Sequence, residues 1–173
     1  MKTAVIYHSQ TGFTRRYAQW IAEAVGADCF SLSQAKGVDF SPYGAVVYGS
    51  WACAGKIRKL GWFKSRMRGW SGKRLAVFCV GASPAESPEI EPFLRRSFTD
   101  EERERAAVFY CPGGLNYEGM PLPSKLMMRA FAKSTRAKKG KTPEEEVMAG
   151  MIGASYDIAD QRYIEPILAY LRG

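Results

Sequence analysis

Ser9-Gln10-Thr11-Gly12-Phe13-Thr14 is the stretch on which the reading of this chain turns. It follows an apolar β-like run, Thr3-Ala4-Val5-Ile6-Tyr7, and leads into Phe13, Tyr17, Trp20, Ile21 and Ala24, which recur at helical spacing. A loop of hydroxyl residues and one glycine between a first strand and a first helix suits a phosphate. The helix N-terminus offers unpaired N–H groups and partial positive charge, and Ser9, Thr11 and Thr14 add hydroxyl donors. Gly12 lets the backbone approach a ligand closely. The alternative at this level is an ordinary strand-to-helix turn with an N-cap.

The loop lacks the lysine of a triphosphate site. Gly140-Lys141-Thr142 resembles the tail of such a motif, but Thr135 stands where its first glycine belongs and no strand precedes it. The G-x-G-x-x-G of a dinucleotide site is missing too. A single phosphate monoester is the better reading. A receiver domain would need acidic residues after the first strand, and Tyr7-His8-Ser9 has none. A low-molecular-weight phosphatase would need C-x5-R, and no cysteine here has an arginine six residues on.

Working outward, apolar runs recur at 3–7, 28–32, 45–49, 75–81 and 106–111. Two of them, Ala45–Gly49 and Leu75–Val80, are continuous rather than alternating, as in strands buried on both faces of a parallel sheet. Strand–helix alternation at these intervals predicts a doubly wound α/β domain. The chain of 173 residues suits one domain spanning 1–173. Beyond the fifth strand, Cys111–Tyr117 reads as a turn-rich loop. A helix is expected from Ser124 to about Lys139, with Leu126, Met127, Ala130 and Phe131 on one side. Thr142-Pro143-Glu144-Glu145-Glu146 reads as a further helix start. Pro166 either kinks the last helix or sets its beginning.

Ligands of open parallel sheets bind beyond the carboxyl ends of the strands. That rule directs attention to loops at 8–14, 49–56, 81–88 and 111–118. The second, Gly49-Ser50-Trp51-Ala52-Cys53-Ala54-Gly55-Lys56, has small residues and one indole along which a flat ring could lie, unless Trp51 belongs to the core. The third, Gly81-Ala82-Ser83-Pro84, lacks bulk next to its strand. His8, the sole histidine, has no acid or cysteine beside it and reads as a strand-end residue rather than a catalyst.

Composition narrows the class further. The chain is 46% hydrophobic with a net charge of +8. Fifteen of its twenty-five basic residues fall in two stretches without a single acid, 56–74 and 119–141. Such stretches suit an anionic membrane surface, an acidic protein or nucleic acid; nucleic acid has charge alone behind it and is not expected. Trp62, Phe63, Trp70, Leu126, Met127 and Phe131 are interleaved with the cations. They either lie on anionic lipid or form the core-facing side of ordinary helices. No apolar run approaches a membrane span. Met1-Lys2 runs at once into a strand, which predicts no signal peptide. Cys29, Cys53, Cys79 and Cys111 form no C-x-x-C pair, so reduced thiols in a cytoplasmic setting are expected and no metal site.

Ser9–Thr14 resembles the T/S-x-T-G-x-T phosphate loop of flavodoxins, and the likeness runs over nearly the whole chain. It looks closest to the branch that includes the menaquinone-dependent, flavodoxin-like protoporphyrinogen dehydrogenases. That branch is similar in Gly49-Ser50 and Gly55-Lys56, in Pro112-Gly113-Gly114-Leu115-Asn116-Tyr117, and in a basic helix at Met127-Met128. The resemblance implies a flavodoxin-like five-stranded parallel sheet in the order 2-1-3-4-5, with helices on both faces and bound FMN. Ser9, Gln10, Thr11, Gly12, Phe13 and Thr14 would hold the phosphate. Ser50, Trp51, Ala52, Cys53, Ala54, Gly55 and Lys56, with Gly81, Ala82 and Ser83, would frame the isoalloxazine ring.

Two functions follow. The first is an FMN oxidoreductase, quinone-linked at the cytoplasmic membrane face, in which a Lys56 near the ring's N1 would favour two-electron chemistry. The second is a soluble electron carrier for an acidic redox partner. Electron-carrier flavodoxins are typically acidic and place a tyrosine in the third loop; this chain is basic and Gly81–Pro84 offers none.

Overall fold

The strand-like runs form one sheet in the computed structural model, which describes residues 1–173. In chain order the first elements are β1 (Thr3–Tyr7), α1 (Phe13–Val25), β2 (Asp28–Ser31), α2 (Leu32–Ala35), β3 (Ala45–Cys53), β4 (Lys56–Ile57) and α3 (Leu60–Met67). There follow β5 (Arg74–Gly81), α4 (Ile90–Ser97), α5 (Asp100–Arg105), β6 (Ala106–Pro112) and β7 (Gly114–Leu115). The chain ends with α6 (Leu122–Ala137), α7 (Pro143–Met151), β8 (Tyr156–Asp157), a 3-10 turn (Gln161–Ile164) and α8 (Glu165–Arg172).

Five strands pair in parallel in the spatial order β2-β1-β3-β5-β6. With the short β4 set aside, this is the expected 2-1-3-4-5 arrangement. Successive residues of each strand point to opposite faces, and both faces are covered. Ala4, Ile6, Val46, Tyr48, Leu75, Val77 and Cys79 pack with Phe63, Met67 and Leu94 on one side. Val5, Val47, Ala76, Phe78 and Val80 pack with Tyr17, Ile21, Ile167 and Leu168 on the other. Continuous apolar runs are therefore what the central strands need, since neither of their faces meets water.

The structure differs from the sequence-based expectations at several places. β3 runs four residues past Gly49 and turns back through Ala54 and Gly55 into β4, so 50–56 is a hairpin rather than an open loop. Both turn residues have positive φ, 49° and 72°, which matches the strand twist across a two-residue turn. The buried face of α1 uses Ala18 and Ala22 beside Tyr17 and Ile21, while Ala24 is exposed. Pro166 sits in the first turn of α8 and marks its start. Thr142 caps α7 in a reciprocal box with Glu145, as its sequence predicts.

The two basic stretches have different fates. In 56–74, Phe63 and Trp70 are buried, and Trp62 packs against them. Three of the eight cations there are tied into the fold: Lys64 pairs with Glu102, Lys73 donates to the Tyr43 carbonyl, and Arg74 donates to the carbonyls of Tyr170 and Leu171. In 119–141 the expected helix exists, two residues earlier than its predicted start, but Leu126, Met127 and Phe131 are exposed. Only Met128 and Ala132 face a small third core with Leu115, Tyr117 and Ile152. No helix is long and apolar enough to cross a membrane.

Candidate functional site

Parallel pairing places the carboxyl ends of all the main strands on one edge. Tyr7 is opposite Gly49, Trp51 opposite Val80, and Gly81 opposite Pro112. The loop after β1, the β3–β4 hairpin and the loop after β5 therefore share an edge, as does the segment after β6.

The first loop has the form a phosphate requires. Gly12 stands at the N-cap of α1 with φ 101°, a conformation that favours glycine, and no side chain caps the helix. Its first-turn N–H groups therefore have no protein partner of the kind Thr142 gives α7. The Gly12 N–H is held by Ser9 Oγ at 3.2 Å, which curls the loop. The space where a Gly12 side chain would stand is open. Ser9 and Thr11 are half-buried, Gln10 is exposed, and Thr14 is buried in the first turn of the helix. A phosphate fits this arrangement of open N–H groups and hydroxyls.

The hairpin meets that loop through His8 and Trp51, whose ring centroids are 4.6 Å apart. His8 N–H donates to Gly49 O at the end of β3. Burial first, then Lys59 and Arg58, hold the His8 imidazole below its usual pKa, which keeps it neutral at physiological pH. Trp51 is half-buried and packs at the rim of the core that contains α1, so it serves core and edge together. Ser50 is turned inward: it is fully buried and its hydroxyl donates to Arg58 O at 2.6 Å. Its part is to hold the hairpin closed. Ala52 and Cys53 are half-buried at the strand end, and Ala54, Gly55 and Lys56 are exposed at the tip.

The third segment is fixed by two tyrosines that no local motif singles out. Tyr110 donates to Ser83 O at 2.8 Å and Tyr156 to Ala82 O at 2.7 Å. Burial pushes the Tyr156 hydroxyl up to about 12, so it remains a donor. The bareness of Gly81 has a packing cause: a Cβ there would lie 2.4 Å from Tyr110 Oη.

The segment after β6 closes the other side of the phosphate loop. β7 and β8 form an antiparallel pair, and between them α6 and α7 make a small module. Asn116 donates to Thr11 O at 3.3 Å, and Gln10 donates to Ser124 Oγ at 3.2 Å. Arg16, one turn into α1, donates both terminal nitrogens to the Asp157 carboxylate at 2.7 and 2.8 Å. A cavity of about 430 Å3 opens there, lined by Thr11, Gly12, Phe13, Arg16, Asn116 and Tyr156 among others. Ser50–Lys56 and Gly81–Ser83 lie outside that lining. Arg16 was legible only as a basic residue a turn beyond Gly12; Tyr156 and Asp157 lie in no local motif.

Solved structures of related shape include an FMN-bound flavoprotein from Lactobacillus acidophilus, with 15% identity, TM-score 0.44, and coverage of 64% of this chain and 91% of that one. An oxidised flavodoxin from Bacillus cereus has 15% identity and a TM-score of 0.44 over 75% and 95% of the two chains. A reduced flavodoxin from Megasphaera elsdenii has 18% identity and a TM-score of 0.42 over 88% and 99%. No curated protein matches the chain. The family model described as "Flavodoxin domain" matches residues 4–142, from β1 through the phosphate loop to the end of the α6 segment. With the parallel sheet and the uncapped glycine loop at its edge, that match makes this chain a member of the flavodoxin-domain family.

Proposed function

We propose that the chain is an FMN-dependent oxidoreductase that passes electrons to a quinone. FMN is the cofactor that membership of the flavodoxin family supports. The observation that carries the reading is the uncapped N-terminus of α1, where Gly12 leaves open space beside Ser9 and Thr11. Bound FMN would supply electron-transfer chemistry that no side chain offers.

The protein's own part is to hold and orient the cofactor. The amides of Thr11, Phe13 and Thr14 and the hydroxyls of Ser9 and Thr11 would take the phosphate. The hairpin at Trp51 and the segment 81–83, pinned by Tyr110 and Tyr156, would flank the ring. Lys56, exposed on the hairpin, would bring positive charge to it. The quinone-linked reading draws support from the resemblance to protoporphyrinogen dehydrogenases and from an exposed apolar and cationic helix on the site edge.

An anaerobic dithionite titration of the purified protein, followed by visible absorption, tests this. Oxidised-flavin bands that bleach directly, with reoxidation by a menaquinone analogue, are the expected result. Assay with protoporphyrinogen as donor then tests the finer reading. A long-wavelength band growing during the titration, with no turnover on quinone, would replace it with a soluble carrier. A protein that stays colourless after FMN is added would sink the flavin reading.

A further inference from the structure

We infer that α6 is a docking helix for an anionic lipid bilayer, with Leu122, Leu126, Met127 and Phe131 entering the acyl boundary and Lys125, Arg129 and Lys133 meeting phosphate headgroups. This deepens the quinone-linked reading and rests on it for its purpose, but not for its test.

The helix presents an apolar face to solvent. Leu122 is 67% exposed, Leu126 56%, Met127 49% and Phe131 55%. At 100° per residue these four, with Ala130 among them, cover an arc of about 180°. Met128 and Ala132 lie outside that arc, turned toward the small core with Leu115 and Tyr117. Four large apolar side chains grouped on one surface helix mark an interaction site, whereas single exposed ones do not.

Charge selects the occupant. α6 has four cations and no acid over its sixteen residues. Lys125, Arg129 and Lys133 recur every fourth residue, in a column about 60° round the helix from Leu122, Leu126 and Ala130. None of the three takes part in a salt bridge, whereas Lys138 and Lys141 beyond the helix pair with Glu145 and Glu146. Cations edging an apolar stripe can lay their stems along it and keep their charges in the headgroup layer. The stripe itself carries leucine, methionine, phenylalanine and alanine. No acid interrupts it, and leucine and phenylalanine are residues that amphipathic helices set into an acyl boundary.

Position gives the docking a consequence. Ser124 in the first turn of α6 accepts from Gln10 of the phosphate loop, so the helix borders the site edge of the sheet. A bilayer under α6 would bring that edge close to the layer in which quinones dissolve.

The test is co-sedimentation of the whole protein with vesicles of phosphatidylcholine alone and of phosphatidylcholine mixed with phosphatidylglycerol. Binding to the mixed vesicles only, weakened by salt, is expected. L126Q/F131Q should abolish it, and R129Q/K133Q should weaken it about thirtyfold. Both variants should keep the wild-type melting transition, because the replaced side chains are exposed. Failure to bind mixed vesicles, or equal binding by L126Q/F131Q, would overturn the inference. So would a wild-type dimer that L126Q/F131Q converts to monomer, since a second copy would then cover the stripe. Protein recovery is the readout, so a colourless protein that still binds would defeat the flavin reading alone, and a yellow one that does not bind would defeat only this.

Discussion

Arg16 in α1 grips Asp157 in β8 with two hydrogen bonds across 141 residues of sequence. This fork joins the helix that follows the phosphate loop to the strand that ends the α6–α7 module. It also forms one wall of the cavity beside Gly12.

Replacing Asp157 with Asn removes the charge and one arm of the fork. Both side chains are more than a third exposed, so the expected loss of stability is modest, about 0.5–1 kcal/mol. The Arg16 hydrogen bonds, ahead of other influences, hold the Asp157 carboxyl below its usual pKa. Its contribution is therefore present above the unfolded-state value of about 4 and is lost as pH falls through the lower folded value. Urea unfolding at neutral and acid pH should show the variant's deficit at neutral pH and its disappearance in acid. A deficit that persists unchanged in acid would contradict the assignment.

Gly12→Ala should strain the loop without any clash, because the Cβ position is open while φ is 101°. The expected cost is about 1–2 kcal/mol, shared between fold and cofactor affinity. Flavin fluorescence quenching on titration with FMN should show affinity lower by about tenfold. Unchanged affinity would remove Gly12 from the phosphate site.

Gly49→Ala tests close packing rather than backbone freedom. A Cβ at Gly49 would lie 1.9 Å from the Phe78 ring, so overpacking should cost about 1–3 kcal/mol or more. Phe78→Leu relieves the conflict. Thermal unfolding of the double variant should show it more stable than the sum of the single losses predicts. Simple additivity would mean that the two residues do not meet.

The four cysteines should divide by reactivity. Cys79 and Cys111 are buried, and burial pushes the Cys79 thiol up to about 12 and Cys111 higher than its usual value. Cys29 is exposed and Cys53 half-exposed. A chromogenic disulfide reagent should titrate two thiols in the native protein and four after denaturation. Four fast thiols without denaturant would show that the sheet centre opens readily.

The sequence by itself determined the five strands and the phosphate loop. Continuous runs such as Ala45–Tyr48 and Leu75–Val80 have no polar side to offer water, so they require a sheet covered on both faces. A hydroxyl-rich loop with one glycine between strand and helix likewise carries its reason locally, in the unpaired N–H groups of the helix start. The α7 cap was legible for the same cause, since Thr142 and Glu145 are three residues apart.

Tertiary structure alone decided the rest. Helical spacing marks an apolar side but does not say whether anything covers it: Phe63 and Trp70 found the core, while Leu126 and Phe131 did not. The hairpin at Ala54-Gly55 hides in a small-residue run, because its positive φ values are conformations that an alanine does not announce. Tyr110, Tyr156 and Asp157 reach the site from strands far along the chain. Their roles rest on pairings such as β7 with β8 and β5 with β6, and long-range pairing leaves no spacing in a sequence to read.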